Sequence, residues 1–298
     1  MSYNSKIIDA SGNSRELRKI WGQQTGKILA PVSTKAIFFD GTSGLADQSD
    51  HIEIGDHDAF SFTDGVNDKP FSISVWAYVG NIATDDGPFV TKAFVSGVGE
   101  TEYIFKHSNG LLRMFLYSGS GVGNRIKLYS NAPVLSSETW HNIVFTYNGN
   151  KASPVMKFYL DGATVAAAQT EDAPYGGQTN TSQPLRIGNT NNEPPQDGQA
   201  FEDQMADVVI FNKELTATEV LEVFGGTQGA AGTGRVKDMS TFSAAANIIS
   251  WWKMGDGDNS SGTNGVRDSI GGYHGTLKNG AKIVNAKNLK SDYKLITV

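Results

Sequence analysis

The chain has 298 residues, of which 34 are glycine and none cysteine, and it carries a net charge of −6. That acidity excludes an overall field that would gather nucleic acid, and the missing thiols exclude disulfides, thiol catalysis and cysteine-ligated metals. No apolar run reaches the roughly 20 residues of a membrane span. Met1 to Lys6 lacks the apolar stretch of a secretory signal, so folding in cytoplasm is expected, and the absence of cysteine favours a bacterial or viral protein in a reducing compartment.

Residues 1–35 show little periodicity beyond a short helical pattern at Ser14 to Trp21, where Leu17, Ile20 and Trp21 share a face. This reads as an N-terminal arm that either docks on a neighbouring subunit or crosses its own domain. From Ala36 the alternation becomes two-residue. Phe71, Ile73, Val75, Ala77 and Val79 point one way while Ser72, Ser74, Trp76 and Tyr78 point the other, the pattern of a strand in a sandwich. Leu112 to Leu116, Ile126 to Leu128, Ile143 to Tyr147 and Met156 to Leu160 repeat it, and the last runs into a hairpin signal at Asp161-Gly162. One helix is clearly marked, Thr216 to Phe224, with Thr216 and Glu219 as a capping box, Leu215 stapled onto Val220, and Gly225 as a left-handed stop. Past Gly226 comes a glycine-rich linker. A strand then follows at Ile248 to Met254, and Gly275 to Gly280 reads as a hairpin.

Six segments in order resemble the laminin G-like, pentraxin-related branch of the concanavalin A-type sandwiches. They are Ile37 to Gly41 with His51 to Gly55, Phe71 to Val79, Trp140 to Tyr147, Phe158 to Gly162, Leu185 to Asn189, and Ala206 to Leu215. The resemblance implies an all-β, two-sheet antiparallel jelly-roll sandwich over residues 36–226, with one short helix and N- and C-terminal extensions (1–35 and 227–298). Ile249 to Met254 and Arg267 to Leu277 are similar to the segment that ordinarily opens this family, yet here they come last. Residues 248–285 are therefore expected to pack back on the sandwich as its displaced leading strands, because Trp251 and Trp252 would otherwise leave a large apolar surface uncovered.

Enzymes on this scaffold carry alternating carboxylates on one strand, and no Glu-x-Asp-x-Glu or Glu-x-Asp-x-x-Glu occurs. Glu193, Glu202, Asp203 and Asp207 read as solvated loop charges. Gly119 to Gly123 matches neither a nucleophile elbow nor a phosphate cradle, and the five histidines have no metal-ligand spacing. The expectation is a chain with no catalytic centre. The family resemblance implies one calcium ion at most, with Asp40 and Asp207 at its acidic positions, although Ala206 stands where relatives often have an Asp. Arg113, Phe115 and Tyr117 alternate with core residues, and Arg125, Lys127 and Tyr129 do so on the next strand. Such a face suits sugars, whose CH groups stack on rings while their hydroxyls bond polar neighbours, and equally suits a subunit interface.

The C-terminal "WWKMGDG" type of segment is similar to those of marine phage structural proteins. That resemblance implies a virion structural protein, capsid-decorating or tail-associated, localised to the virion. Its partners would be other virion proteins and copies of itself, with neither nucleic acid nor membrane. The alternative is a carbohydrate-binding adhesin recognising host-surface glycans.

Overall fold

The computed structural model describes residues 6–8, 14–16, 35–41, 49–83, 85–94, 100–118, 124–172, 174–190, 200–225, 238–255, 257–259 and 263–287. Near the N-terminus β1 (Lys6–Ile8) and β2 (Ser14–Glu16) pair antiparallel. The helix expected from Ser14 thus begins as a strand, and its remainder, with Leu17, Ile20 and Trp21, lies outside the described residues. So short a helix has little hydrogen bonding to offset nucleation, whereas a paired strand satisfies the backbone at once.

The strands that follow are β3 (Lys35–Asp40), β4 (His51–Gly55), β5 (Phe71–Val79), β6 (Pro88–Lys92), β7 (Tyr103–Ser108) and β8 (Leu111–Tyr117). Next come β9 (Arg125–Ser130), β10 (Thr139–Tyr147), β11 (Met156–Leu160), β12 (Ala163–Val165), β13 (Ala167–Glu171) and β14 (Leu185–Ile187). The chain continues through β15 (Glu202–Phe211), helix α1 (Ala217–Val223), β16 (Ile248–Trp252), β17 (Thr276–Lys278) and β18 (Lys282–Asn285). They form two eight-stranded antiparallel sheets. One has the order β12-β11-β10-β5-β15-β3-β18 with β16 also on β15, and the other β13-β9-β8-β7-β6-β14-β4-β17.

The two inner faces share one core. Phe71, Ile73, Val75, Ala77 and Val79 of β5 meet Phe105, Leu112, Met114, Leu116, Ile126 and Leu128 from the other sheet. The outward residues of the first sheet are also apolar, and they build a second core. Trp76, Tyr78, Trp140, Val144 and Val209 are covered by Val220, Val223 and Phe224 of the α1 region and by Met239, Phe242 and Trp251. The capping box of Thr216 and Glu219 forms as the sequence predicts, which fixes where α1 starts over that face.

The turn at Asp161-Gly162, with φ of 51° and 79°, joins β11 to β12 as the expected hairpin. Gly275 to Gly280 does not form a hairpin. β17 pairs with β4 in one sheet and β18 with β3 in the other, so the turn between them crosses the sandwich edge. Residues 49 and 50 redirect it: Asn279 Nδ2 donates to the Ser49 carbonyl at 2.8 Å, and the Gly280 N–H donates to Asp50 Oδ1 at 2.6 Å. A Cβ on residue 280 would lie 2.7 Å from that carboxylate oxygen, so any larger residue there would push the Asp50 carboxylate aside.

The C-terminal segment also supplies a buried anchor. Trp252 is fully buried in the main core, and its indole donates to the Tyr273 carbonyl at 2.8 Å. Asp268 ties the intervening loop together by accepting from the backbone N–H groups of Trp251, Ile270, Gly271 and Tyr273.

Candidate binding face

On the outer face of the second sheet the outward residues of β8 and β9 are mostly half-buried, while Ile104 and Lys106 on β7 are buried. On β8 and β9 the register pairs Arg113 with Tyr129, Phe115 with Lys127, and Tyr117 with Arg125. All six side chains singled out in the sequence therefore stand together on one face. β7 extends the rows with Lys106 beside Arg113 and Ile104 beside Phe115, and β13 adds Ala168 beside Tyr129 and Thr170 beside Lys127. Asp172 follows β13 at the end of the third row, where its N–H donates to the Arg125 carbonyl.

Cations and rings interleave here. The Arg125 guanidinium lies 5.2 Å from the Phe115 ring centre and 5.6 Å from that of Tyr117, and its Nη1 donates to the Tyr117 hydroxyl at 3.1 Å. Arg113 lies 5.3 Å and Lys127 5.8 Å from the Tyr129 ring centre. Phe115 and Tyr129 meet edge to face at 5.6 Å, which holds both rings upright on the sheet. Phe115 and Tyr129 are half-buried, while Tyr117 is buried against Ala93 and Ile104. That burial pushes the Tyr117 phenol pKa above its ordinary value.

Asp172 is the anionic counterpart of this face. Arg125 Nε donates to it at 2.6 Å and Lys127 Nζ donates to its other oxygen. These two bonds hold the Asp172 carboxyl below the usual carboxylate range. Burial works against the charge on Arg125, but its bonds to Asp172 and Tyr117 raise its pKa overall. Lys106 ion-pairs with Asp86, and burial lowers its pKa. Beyond Asp172 lies a cleft of about 540 Å³ lined by Lys151, Pro154, Glu171, Pro174 and Tyr175. Its wall is fixed from beneath, since Tyr175 and Tyr147 both donate to Asp68 Oδ2, at 2.7 and 2.6 Å.

Neither Lys106 nor Asp172 figured in the sequence reading. Lys106 is marked by period-two alternation along Tyr103 to Ser108. Asp172 carries no signal before its strand is paired with β9.

The two residues named for calcium are not brought together. Asp40 pairs with Glu202, and Asp207 lies five residues further along β15, about 16 Å away at strand spacing. Asp207 is buried and accepts from the Trp251 indole at 3.2 Å, whereas Asp40 is exposed. Among the described residues no group of three His, Asp or Glu side chains could hold a metal ion. The donor set expected for calcium therefore does not fit one ion.

Asp203 and Asp207 are also not solvated loop charges, because both are buried in β15. Asp207 occupies a bulge with φ of 47°. Burial raises the Asp203 pKa, against an ion pair with Lys287 at 2.6 Å. Glu202 is exposed and Glu193 lies outside the described residues.

Residues 46–221, more than half of the chain, match the model of the family described as the concanavalin A-like lectin/glucanases superfamily. The chain belongs to that family, in its laminin G-like branch. Among solved structures it is similar to a candidate carbohydrate binding protein from Bacteroides ovatus, at 16% identity and a TM-score of 0.55 over 85% of this chain and 60% of that one. It is also similar to the heptameric SAP-like pentraxin of Limulus polyphemus, at 12% identity and a TM-score of 0.49 over 85% and 95%. At such identities the likeness is one of fold, and the chain spans only 60% of the Bacteroides protein's length. No curated protein matches the sequence.

Proposed function

We propose that this chain is a glycan-binding module without a catalytic role, and that the outer face of β7, β8, β9 and β13 is its binding platform. The observation that carries the reading is the clustering of half-buried Phe115 and Tyr129 among donors on the outer face of β8 and β9. Rings in that setting take pyranose CH groups while the flanking cations bond hydroxyls. The name of the Bacteroides ovatus relative supports the same reading. A glycan array followed by calorimetric titration tests it. Binding is expected to be lost in Phe115→Ala and Tyr129→Ala with the melting temperature held, and binding that survives both substitutions rejects this face.

We read residues 36–226 as the sandwich and 248–285 as displaced leading strands, a reading supported by the pairing of β16, β17 and β18. The virion structural role rests on the resemblance of the C-terminal segment. It is compatible with a glycan-binding face, and mass spectrometry of particles, scored for copy number against the major capsid protein, decides it.

A further inference from the structure

We propose that the platform selects acidic glycans, and that Arg113 is the residue that takes their carboxylate or sulfate group. This inference rests on the glycan-binding reading of the same face. Its starting point is the charge inventory of the outer sheet. Among the described residues of β7, β8, β9 and β13 and their partners, Lys106, Arg113, Arg125 and Lys127 stand against two carboxylates, Asp86 and Asp172, so two positive charges are left over on a chain whose net charge is −6. A patch opposite in sign to the whole molecule draws an anion to one place and not to the surface at large.

One of the two is shared by Arg125 and Lys127 over the single carboxylate of Asp172, and the other stands on Arg113. Asp172 serves Arg125 and Lys127, and Asp86 serves Lys106. Among the described residues Arg113 has no carboxylate within ion-pair distance, and its contact is the Tyr129 ring. Its Nε is buried and has no acceptor. That Nε has no accessible surface, so a ligand would meet the terminal Nη groups, to which a neutral sugar brings at most a weakly accepting hydroxyl. A carboxylate or sulfate fits the guanidinium with parallel N–H···O bonds. Tyr129, next to Arg113 on β9, offers the ring against which the same sugar packs. Arginine is required here in preference to lysine because one planar group must both lie against Tyr129 and bond the anion edge-on.

The test titrates the whole chain with polygalacturonic acid and its fully methyl-esterified form, and with dextran sulfate and plain dextran, at low and at physiological salt. The first pair isolates a carboxylate and the second a sulfate. At least one acidic member is expected to bind about tenfold or more tightly than its neutral twin, as a charge-assisted pair requires. Arg113→Gln should abolish that preference and Arg113→Lys should recover only part of it. Lys157→Gln, on the other sheet, should leave it unchanged. In proton–nitrogen spectra the Arg113 Nε–H signal should shift with the acidic polymer. Equal loss in Lys157→Gln would reduce the effect to bulk charge and overturn the proposal. Neutral polymers bound as tightly, through Phe115 and Tyr129 but independently of Arg113, would also overturn it while leaving the platform standing. No binding of any polymer, with self-association that Tyr129→Ala abolishes, would remove both and make the face a contact between copies of the chain.

Discussion

The sandwich has two outer faces built by the same alternation, and they meet opposite fates. On the sheet that contains β5 and β10 the outward residues include Trp76, Tyr78, Trp140 and Val144, so these strands are buried along nearly their whole length. A sheet apolar on both sides must find a second cover, and α1 together with the segment from Met239 to Trp251 provides it. On the sheet that contains β8 and β9 the outward positions are Arg, Phe, Tyr and Lys, with alternate residues half-buried. Arg125, Lys127 and Asp172 bond one another there, and this face is the one proposed for a ligand. The chemistry of every second residue thus decides which face becomes a second core and which keeps charges and rings at its surface.

Paired substitutions test that division most severely. Trp76→Ala removes a fully buried indole stacked near Phe224 and is expected to cost about 3–5 kcal/mol, read from the denaturant midpoint. Phe115→Ala on the other face should cost less than about 1 kcal/mol. Similar losses at both positions would mean that the second face is also structural. Trp252→Ala should match Trp76→Ala if residues beyond 238 are integral to the sandwich, whereas a detached lobe would leave the main transition unmoved.

A smaller effect is expected at Asp68, which joins the two halves beneath the cleft. Its Oδ2 accepts from the Tyr147 and Tyr175 hydroxyls, and its Oδ1 accepts from the Gln178 N–H at 2.7 Å. An amide cannot accept on both sides, so Asp68→Asn should cost about 1–3 kcal/mol. Burial first, and then the Asp68 carboxylate, raises both phenol pKa values above the ordinary 10.0. The folded state therefore keeps protons that the unfolded chain releases. The stability these groups contribute is complete below about pH 10 and falls as the pH rises beyond it. A urea midpoint flat from pH 8 to 11 would contradict this.

Much of this division was legible in the sequence. The inward and outward sets of β5, the capping box at Thr216 and the turn at Asp161-Gly162 follow from rules that act within a few residues. The six residues of the platform came together because period two puts them on one side of adjacent strands. What local rules could not supply was pairing at long range. Gly275 to Gly280 has hairpin composition, but Asp50, some 230 positions away, turns it from one sheet to the other. Asp203 and Asp207 look like loop charges until β15 is placed at the centre of a sheet, where a bulge and two distant partners, Lys287 and Trp251, accommodate them. The helical pattern at Ser14 likewise ignored the pairing available from Lys6 to Ile8. Thr216→Ala isolates the local class of signal: the cap should contribute about 1 kcal/mol and nothing to binding.

The smallest effect on stability belongs to Asp172, and it gives the sharpest contrast between the faces. Its bonds to Arg125 and Lys127 lie at the surface and should matter little to folding. Their consequence for a ligand is larger and of opposite sign to every substitution above. Asp172→Asn leaves the shape of the β13 end in place while releasing two cations beside Phe115 and Tyr117. If the face recruits acidic sugars, affinity for them should rise severalfold in Asp172→Asn, with a steeper salt dependence, while affinity for neutral sugars stays level. The same logic predicts a pH response in the wild type. The Asp172 carboxyl titrates below the usual range, so its neutralising effect should persist through mildly acidic pH, and a gain on its protonation is expected only for a sulfated polymer, which keeps its own charge there. A fall in acidic-polymer affinity in Asp172→Asn would show instead that Asp172 positions Arg125 and Lys127 for the ligand, which would make the ion pair part of the site and not its competitor.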